Sequence, residues 1–100
     1  MKIAFTPLAE RQTDRLHGYI SQRAGEARAD AYVGRIVAYC MGLATFPERG
    51  TRRDDLIPGL RTIGFERRVT IAFLVTADAV FIEGIYYRGQ DFDAAYLGDQ

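Results

Sequence analysis

The sequence is poor in the residue types that build disulfides, metal sites and nucleophilic centres. It contains one cysteine, Cys40, and one histidine, His17. A single cysteine excludes an internal disulfide and indicates a reducing compartment, so we expect a cytoplasmic protein. His17 and Cys40 lie far apart without a nearby third ligand, which argues against a metal site and against a Cys–His nucleophilic pair. No glycine motif has the spacing of a phosphate-binding loop, so no cofactor is predicted.

Net charge and long apolar runs are also lacking. Basic and acidic residues number 13 each, so the formal net charge is zero and no overall field attracts the chain to nucleic acid or to a membrane. No apolar run approaches the ~20 residues of a membrane span, and Met1-Lys2-Ile3 leads directly into folded-looking sequence rather than a signal peptide. Any electrostatic function must therefore come from local clusters of charge.

The first half of the chain has the apolar periodicity of two helices. Thr6-Pro7 is typical of a helix start, and the spacing predicts a helix over residues 7–23, with a break at Gly25. A second helix is predicted from Glu26 to just before Pro47. So short a link predicts an antiparallel helical hairpin.

The remaining segments predict a sheet. The expected strands cover residues 2–5, 60–65, 68–76 and 80–88. Residues 47–58 hold two prolines and a glycine without apolar period, which predicts a loop. Because the last three strands are joined too tightly for crossovers, we expect an antiparallel meander. The fold class is α+β, a single domain over residues 1–100 in which a first strand and an antiparallel two-helix hairpin pack on an antiparallel sheet, in the order β-α-α-β-β-β.

Apolar residues fall on both faces of the last two predicted strands. The alternation places Val80, Ile82 and Tyr86 on one face, while Leu74 and Phe81 belong to the face that the helices do not cover. A single helical layer leaves that second face exposed. We therefore expect a partner protein, or a second copy of the chain, to cover it.

Arginines are concentrated near the ends of these strands. They are Arg61, Arg67, Arg68 and Arg88. Antiparallel pairing would bring several guanidinium groups to one side of the sheet, where they form a site for phosphate or carboxylate. The alternative is a set of ordinary surface ion pairs, each worth ~0–1 kcal/mol. Tyr86 and Tyr87 point to opposite faces, so one of them is available for stacking.

Four short motifs, in their order and spacing, resemble one protein family. They are Phe5-Thr6-Pro7-Leu8-Ala9, Leu43-Ala44-Thr45-Phe46-Pro47-Glu48-Arg49-Gly50, Pro58-Gly59-Leu60-Arg61 and Ile85-Tyr86-Tyr87-Arg88-Gly89-Gln90-Asp91-Phe92. From about residue 2 to 93 the chain resembles the RelE/ParE superfamily of bacterial type II toxins, in the ParE or plasmid-stabilisation branch. The family fold is the helical hairpin on an antiparallel sheet that the periodicities predict.

The resemblance implies a toxin encoded beside a small ParD-like antitoxin that neutralises it. It also implies that the toxin contacts DNA directly only through this antitoxin. ParE-like members poison DNA gyrase, whereas RelE-like members cut messenger RNA on the ribosome with basic and acid–base side chains. This chain has no lysine in its middle segment, and Tyr87 stands where several ribonuclease members carry a catalytic histidine. Both features favour the gyrase function, which requires no catalytic residue.

The resemblance and the arginine pattern together give a set of target-binding candidates. They are Arg61, Arg67, Arg68, Tyr87, Arg88, Phe92 and Tyr96. One alternative is a RelE-like ribosome-dependent endoribonuclease, in which Arg61 and Arg68 hold phosphates while Tyr87 or Arg88 assists proton transfer. Another is a non-toxic homologue that still binds antitoxin, suggested by Gln90, where many relatives have arginine.

Overall fold

The computed structural model describes residues 1–87, which form two helices and a five-stranded sheet. The elements are β1 (Lys2–Phe5), α1 (Pro7–Ala24), α2 (Glu26–Gly42), β2 (Thr51–Arg52), β3 (Leu60–Phe65), β4 (Val69–Val75) and β5 (Ala79–Tyr87). The strand order in the sheet is β1-β5-β4-β3-β2. The predicted α+β class and the order of its elements are confirmed. The predictions for Arg88, Phe92 and Tyr96 lie outside the described residues.

The sheet is mixed rather than wholly antiparallel. β1 lies parallel to β5, with Ile3 opposite Val80, whereas every other pair of neighbouring strands is antiparallel. The sequence does not reveal this pairing, because β1 and β5 are separated by all the other elements. The predicted loop also contains a strand, β2, whose two residues pair with Arg61 and Thr62. So short a strand has too few residues to show an alternation.

The helical hairpin follows from its capping residues. The Thr6 hydroxyl accepts a hydrogen bond from the Ala9 amide at 3.2 Å, and Pro7 occupies the first turn, where its missing N–H costs nothing. Gly25 alone separates the two helices, with a φ of 96° that L side chains rarely adopt. Within the described residues, neither helix is long and apolar enough to cross a membrane.

α2 ends at Gly42, earlier than the predicted end before Pro47. The three amides that follow Gly42 donate to carbonyls three residues back, at 3.0–3.2 Å, which tightens the chain into turns. Phe46, which continues the apolar spacing of α2 in the sequence, is consequently 65% exposed.

The main core lies between the helical hairpin and one face of the sheet. It consists of Ala9 and Leu16 of α1, Ile36 and Cys40 of α2, Leu43, and the strand residues Val69, Ile71, Phe73, Val80, Ile82 and Ile85. Phe73 is fully buried and is among the largest of these side chains. Burial of this face supplies the main stabilisation of the fold, because the hydrophobic contribution is proportional to the apolar area removed from water.

The opposite face of the sheet is covered in part by the chain itself. Leu60, Ala72 and Tyr86 form a second cluster there, against which Leu56, Ile57 and Leu74 pack. Residues 53–59 thus fold back over the face of the sheet that we expected a partner protein or a second copy to cover. Phe81 is 37% exposed, so the expectation of an outside covering applies to it but not to Leu74. Gly84 makes room for Tyr86, because a Cβ at this position would overlap the tyrosine ring.

A β-bulge interrupts the pairing between β4 and β5. Ala72 is opposite Gly84, and the next residue of β4, Phe73, is opposite Ile82. Glu83 is therefore an extra residue in β5, left between two regular pairs.

The bulge reverses which face each later residue of β5 occupies. Val80 and Ile82, before the bulge, contact the helices; after it, Ile85 and Tyr87 do so, while Tyr86 lies on the other face. The prediction that Tyr86 shares a face with Val80 and Ile82 is therefore wrong. Counting alternate residues assumes a period of two, and an inserted residue shifts every position that follows.

Two side chains from the start of the helical hairpin contact the bulged part of β5. The Gln12 side-chain oxygen accepts a hydrogen bond from the Ile85 amide at 2.7 Å, and the Thr6 hydroxyl donates to the Glu83 carbonyl at 3.4 Å. β1 pairs with β5 only as far as Ile82. α1 therefore satisfies main-chain groups that have no partner strand.

Replacing the central core aromatic should destabilise the protein strongly. We expect Phe73→Ala to lower the free energy of unfolding by about 3–5 kcal/mol, because it removes a fully buried ring and leaves a cavity. Phe46→Ala, a change of the same size at a mostly exposed ring, should cost less than about 1 kcal/mol. Urea unfolding of the two variants would measure both values, and equal losses would contradict the assignment of the core.

Removing the charge of the bulged residue should stabilise the protein near neutral pH. Burial raises the pKa of the Glu83 carboxyl above its ordinary value of 4.5, so the charged form opposes folding. Stability contributed by the protonated form is complete below 4.5 and is lost as pH rises through the pKa of the folded state. Glu83→Gln should therefore raise the melting temperature at pH 7, and the gain should shrink as the pH falls through the raised pKa toward 4.5 and be absent below that value. The same change at exposed Glu48 is the control, and a comparable gain there would refute this reasoning.

Candidate functional site

Five aromatic rings form a continuous row between the helices and the sheet, which we call the aromatic ladder. In order it comprises Tyr19 of α1, Tyr87 of β5, Tyr32 of α2, Phe65 of β3 and Tyr39 of α2. Neighbouring ring centroids lie 5.2–6.4 Å apart with planes inclined by 48–75°. Tilted and edge-on pairs of this kind each contribute about 0.5–1.5 kcal/mol beyond the burial of their area. The ladder thus ties both helices to β3 and β5.

Arginines lie over three rings of the ladder. The guanidinium carbon is 3.8 Å from the ring centroid for Arg23 over Tyr19, 5.2 Å for Arg35 over Tyr32 and 5.7 Å for Arg49 over Tyr39. At exposed positions such cation–π contacts are worth about 0.5–1 kcal/mol each. The result is a surface of interleaved arginine and aromatic side chains along the hairpin.

A cleft of about 440 Å³ opens beside Tyr32 and Tyr87, and we call it the arginine cleft. It is lined by Ile20, Ala24, Arg28, Ala31, Tyr32, Arg35, Glu66, Arg68 and Tyr87. Three arginines thus face a single glutamate. Arg28 and Arg68 are exposed, and neither forms an ion pair with another described residue. The cleft is therefore locally positive, although the chain as a whole carries no net charge.

Arg35 and Glu66, which both line the cleft, form a bidentate ion pair. Arg35 Nε donates to Oε2 of Glu66 at 2.9 Å, and Nη2 donates to Oε1 at 3.1 Å. The hydrogen bonds from Arg35 lower the pKa of the Glu66 carboxyl. Because Glu66 belongs to the turn between β3 and β4, the pair connects this turn to α2. It also shows that a carboxylate fits beside these guanidinium groups.

The turn itself has an unfavourable backbone. Glu66 and Arg67 have φ values of 48° and 65°, and the Arg68 amide donates to the Phe65 carbonyl at 3.3 Å. Positive φ at both central residues is typical of a type I′ turn, which normally contains Asn-Gly because side chains disfavour positive φ. Glu66 and Arg67 therefore hold a conformation that costs free energy, and the Glu66 carboxylate within this turn pairs with Arg35.

Tyr32 carries an unfilled hydrogen-bonding group. Its hydroxyl oxygen is buried and has no hydrogen-bond partner among the described residues. Burial is the largest cause that raises the pKa of Tyr32, and the neighbouring Tyr87 and Glu66 raise it further. The hydroxyl therefore remains protonated and is able to donate. A buried hydroxyl without a partner costs about 1–3 kcal/mol, so an acceptor that reached it would be bound favourably.

The structure brings together three of the predicted site residues and separates a fourth. Arg68 and Tyr87 both line the arginine cleft, and Arg67 belongs to the adjoining turn. Arg61 is near the opposite end of β3, four residues from the turn, or roughly 13 Å at the usual rise of a strand. Its Nη1 donates to the Arg49 carbonyl at 3.4 Å. The predicted convergence of arginines is therefore partial.

Two arginines of the cleft, Arg28 and Arg35, are not among the site residues predicted from the sequence. Arg28 and Arg35 lie on α2 with Tyr32 between them, and the helical spacing of four and then three places all three on one side of the helix. That spacing is visible in the sequence. It becomes informative only when the turn containing Glu66 is known to approach the same side of the helix.

Neither His17 nor Cys40 adds chemistry to the cleft. His17 Nε2 lies 2.7 Å from Asp30 Oδ1, an exposed contact between the two helices. Cys40 is fully buried, and burial raises the pKa of its thiol to about 12, so it is not a nucleophile at neutral pH. Asp30 and Cys40 are separated by roughly 15 Å of helix. In the described part of the chain, no three His, Cys, Asp or Glu side chains are grouped to hold a metal ion.

Removing the unfavourable backbone conformation of Arg67 in the turn should stabilise the protein. We expect Arg67→Gly to raise the free energy of unfolding by about 0.5–1 kcal/mol, because glycine adopts a φ of 65° without the steric cost that arginine carries. Arg68→Gly is the matched control at the next position, where φ is not positive, and it should lower stability. Denaturant unfolding would compare the two; a loss in both variants would show that the turn is not strained.

Comparison with known proteins was consistent with the fold. A protein-family model described as the ParE toxin of the type II toxin-antitoxin system, parDE, matches residues 3–92. A chain from the structure of the chromosomal ParDE TA system from P. aeruginosa superposes with a TM-score of 0.77 at 25% sequence identity, covering 88% of this chain and 96% of that chain. No match was found among curated proteins. Since the family match spans most of its length, the chain belongs to the ParE toxin family of type II toxin-antitoxin systems.

Proposed function

We propose that this protein poisons DNA gyrase and that a cognate ParD-like antitoxin neutralises it. The observation that carries the proposal is the match to the ParE toxin family over residues 3–92. Gyrase poisoning is the activity that resemblance to ParE-like members implies. Because gyrase acts on the chromosome, the proposal places the protein in the cytoplasm.

A gyrase poison needs a binding surface rather than an acid–base pair. It shifts the enzyme toward its DNA-cleaved state to the extent that it binds that state more tightly than the others. Arg68 and Tyr87 at the arginine cleft, with Arg67 in the adjoining turn, are suited to this role, since arginine and tyrosine are enriched among interface residues that dominate binding energy. Arg61 of β3 donates a hydrogen bond to the carbonyl of Arg49, and Arg49 lies over Tyr39 at the end of the aromatic ladder. Arg61 therefore extends the same surface.

The charge distribution supports contact with an anionic surface of a protein–DNA complex rather than with DNA alone. The net charge is zero, so binding to bare DNA lacks the general attraction that basic proteins have. We propose that the antitoxin supplies direct DNA binding. The candidates Arg88, Phe92 and Tyr96 follow β5 in the sequence and remain proposed parts of the target surface.

Purified gyrase with supercoiled DNA and ATP, titrated with this protein, tests the target. We expect cleaved DNA to accumulate, and we expect Arg61→Ala and Arg68→Ala each to raise the half-maximal concentration by at least about ten-fold, the effect of losing ~1.4 kcal/mol of binding. Arg11→Ala, an exposed arginine on α1, should leave that concentration unchanged. Addition of the antitoxin should abolish cleavage.

The alternative activities predict different outcomes in the same experiment. Unchanged supercoiling at a large excess of protein would remove gyrase as the target. Codon-register cuts in messenger RNA from cells that express the chain would instead establish a ribosome-dependent ribonuclease. Antitoxin binding without either effect would identify a non-toxic homologue.

A further inference from the structure

We propose that the arginine cleft is the antitoxin's carboxylate site: it binds an aspartate or glutamate side chain between Arg28 and Arg68, with a neighbouring aliphatic side chain against the wall of the cleft. This proposal rests on the proposed neutralisation by an antitoxin. It adds the place of contact and the chemistry of the contacting residues.

The two free arginines give the cleft its affinity for an anion. Arg35 is already engaged with both oxygens of Glu66, whereas Arg28 and Arg68 have no ion-pair partner among residues 1–87. Each offers a planar fork of N–H donors that matches a carboxylate. The Arg35–Glu66 pair is an internal example of the same interaction on the same wall of the cleft.

The hydroxyl of Tyr32 provides a further donor. It is buried, lacks a hydrogen-bond partner among the described residues, and belongs to a side chain that lines the cleft. A carboxylate has more acceptor sites than one arginine fills, so a carboxylate that reached the Tyr32 hydroxyl could accept from it as well as from Arg28 or Arg68.

The apolar part of the lining favours a protein segment over a nucleic acid. Ile20, Ala24 and Ala31 supply apolar surface, which matches an aliphatic side chain and offers no hydrogen-bond donor to a phosphate. Because Arg35 and Glu66 neutralise each other, two positive charges remain in the cleft, enough for a single carboxylate but few for the closely spaced charges of a phosphate chain. An amphipathic acidic segment satisfies both the charged and the apolar walls.

Peptides selected from a random 12-residue display library against the full-length protein provide the probe. We expect the selected sequences to contain aspartate or glutamate next to leucine, isoleucine or valine. Fluorescence anisotropy of a selected peptide should show at least a ten-fold loss of affinity for Arg28→Ala and for Arg68→Ala, with Arg11→Ala unchanged. Selected peptides without acidic residues, or equal binding to all variants, would overturn the proposal.

Tyr32→Phe separates binding from a purely structural role. It removes the buried unpaired hydroxyl, so the free protein should melt roughly 4 °C or more higher. Peptide affinity should fall several-fold, because the donor is lost. A variant that is more stable and binds equally well would exclude the hydroxyl from the site, and a variant that is less stable would show that the hydroxyl already has a partner.

Competition identifies the occupant of the cleft. The antitoxin purified from the adjoining reading frame should displace the labelled peptide, and formation of a ternary complex would contradict the proposal. If Asp91→Asn with Asp93→Asn raises peptide affinity ten-fold, the end of this chain occupies the cleft instead, and the proposal fails. Gyrase cleavage is measured separately, so loss of the gyrase target and loss of the carboxylate site are distinguishable.

Discussion

Glu83, the single extra residue in β5, determines which later side chains of the strand face the helices and which face the opposite side of the sheet. Glu83 shifts the alternation of the strand by one position, and Tyr87 therefore faces the helices instead of the opposite side. Tyr87 connects Tyr19 to Tyr32 in the aromatic ladder, so the ladder is continuous between the two helices only because of this shift. Without the bulge, Tyr86 would occupy the helical side and the second cluster would lose its aromatic ring.

The bulge is held by α1, which couples the first part of the chain to the last described strand. Gln12 accepts the amide hydrogen of Ile85, and Thr6 both caps α1 and reaches the Glu83 carbonyl. Thr6, the capping residue of α1, thus helps to fix the face of the sheet on which Tyr87 lies. A bulge supported in this way is a defined element of the fold, because its main-chain groups have fixed partners.

The sequence predicts well what depends on near neighbours. Thr6-Pro7 and Gly25 define the hairpin, and the alternation of β4 defines its buried face, because capping and periodicity act over a few residues. The parallel pairing of β1 with β5 and the position of Tyr86 depend on contacts between distant segments. The arginine cleft is a result of the same kind, since Arg35 of α2 meets Glu66 only after the sheet has packed against the hairpin.

The aromatic ladder also gives the protein an internal optical signal. The sequence has six tyrosines and no tryptophan, so its near-ultraviolet absorption and emission come mainly from tyrosine. Tyr19, Tyr32, Tyr39 and Tyr87 all belong to the ladder, and two of them line the arginine cleft. Tyrosine spectra are sensitive to hydrogen bonding of the phenol and to nearby charge. A ligand that contains neither tyrosine nor tryptophan is therefore observable on this surface without any label.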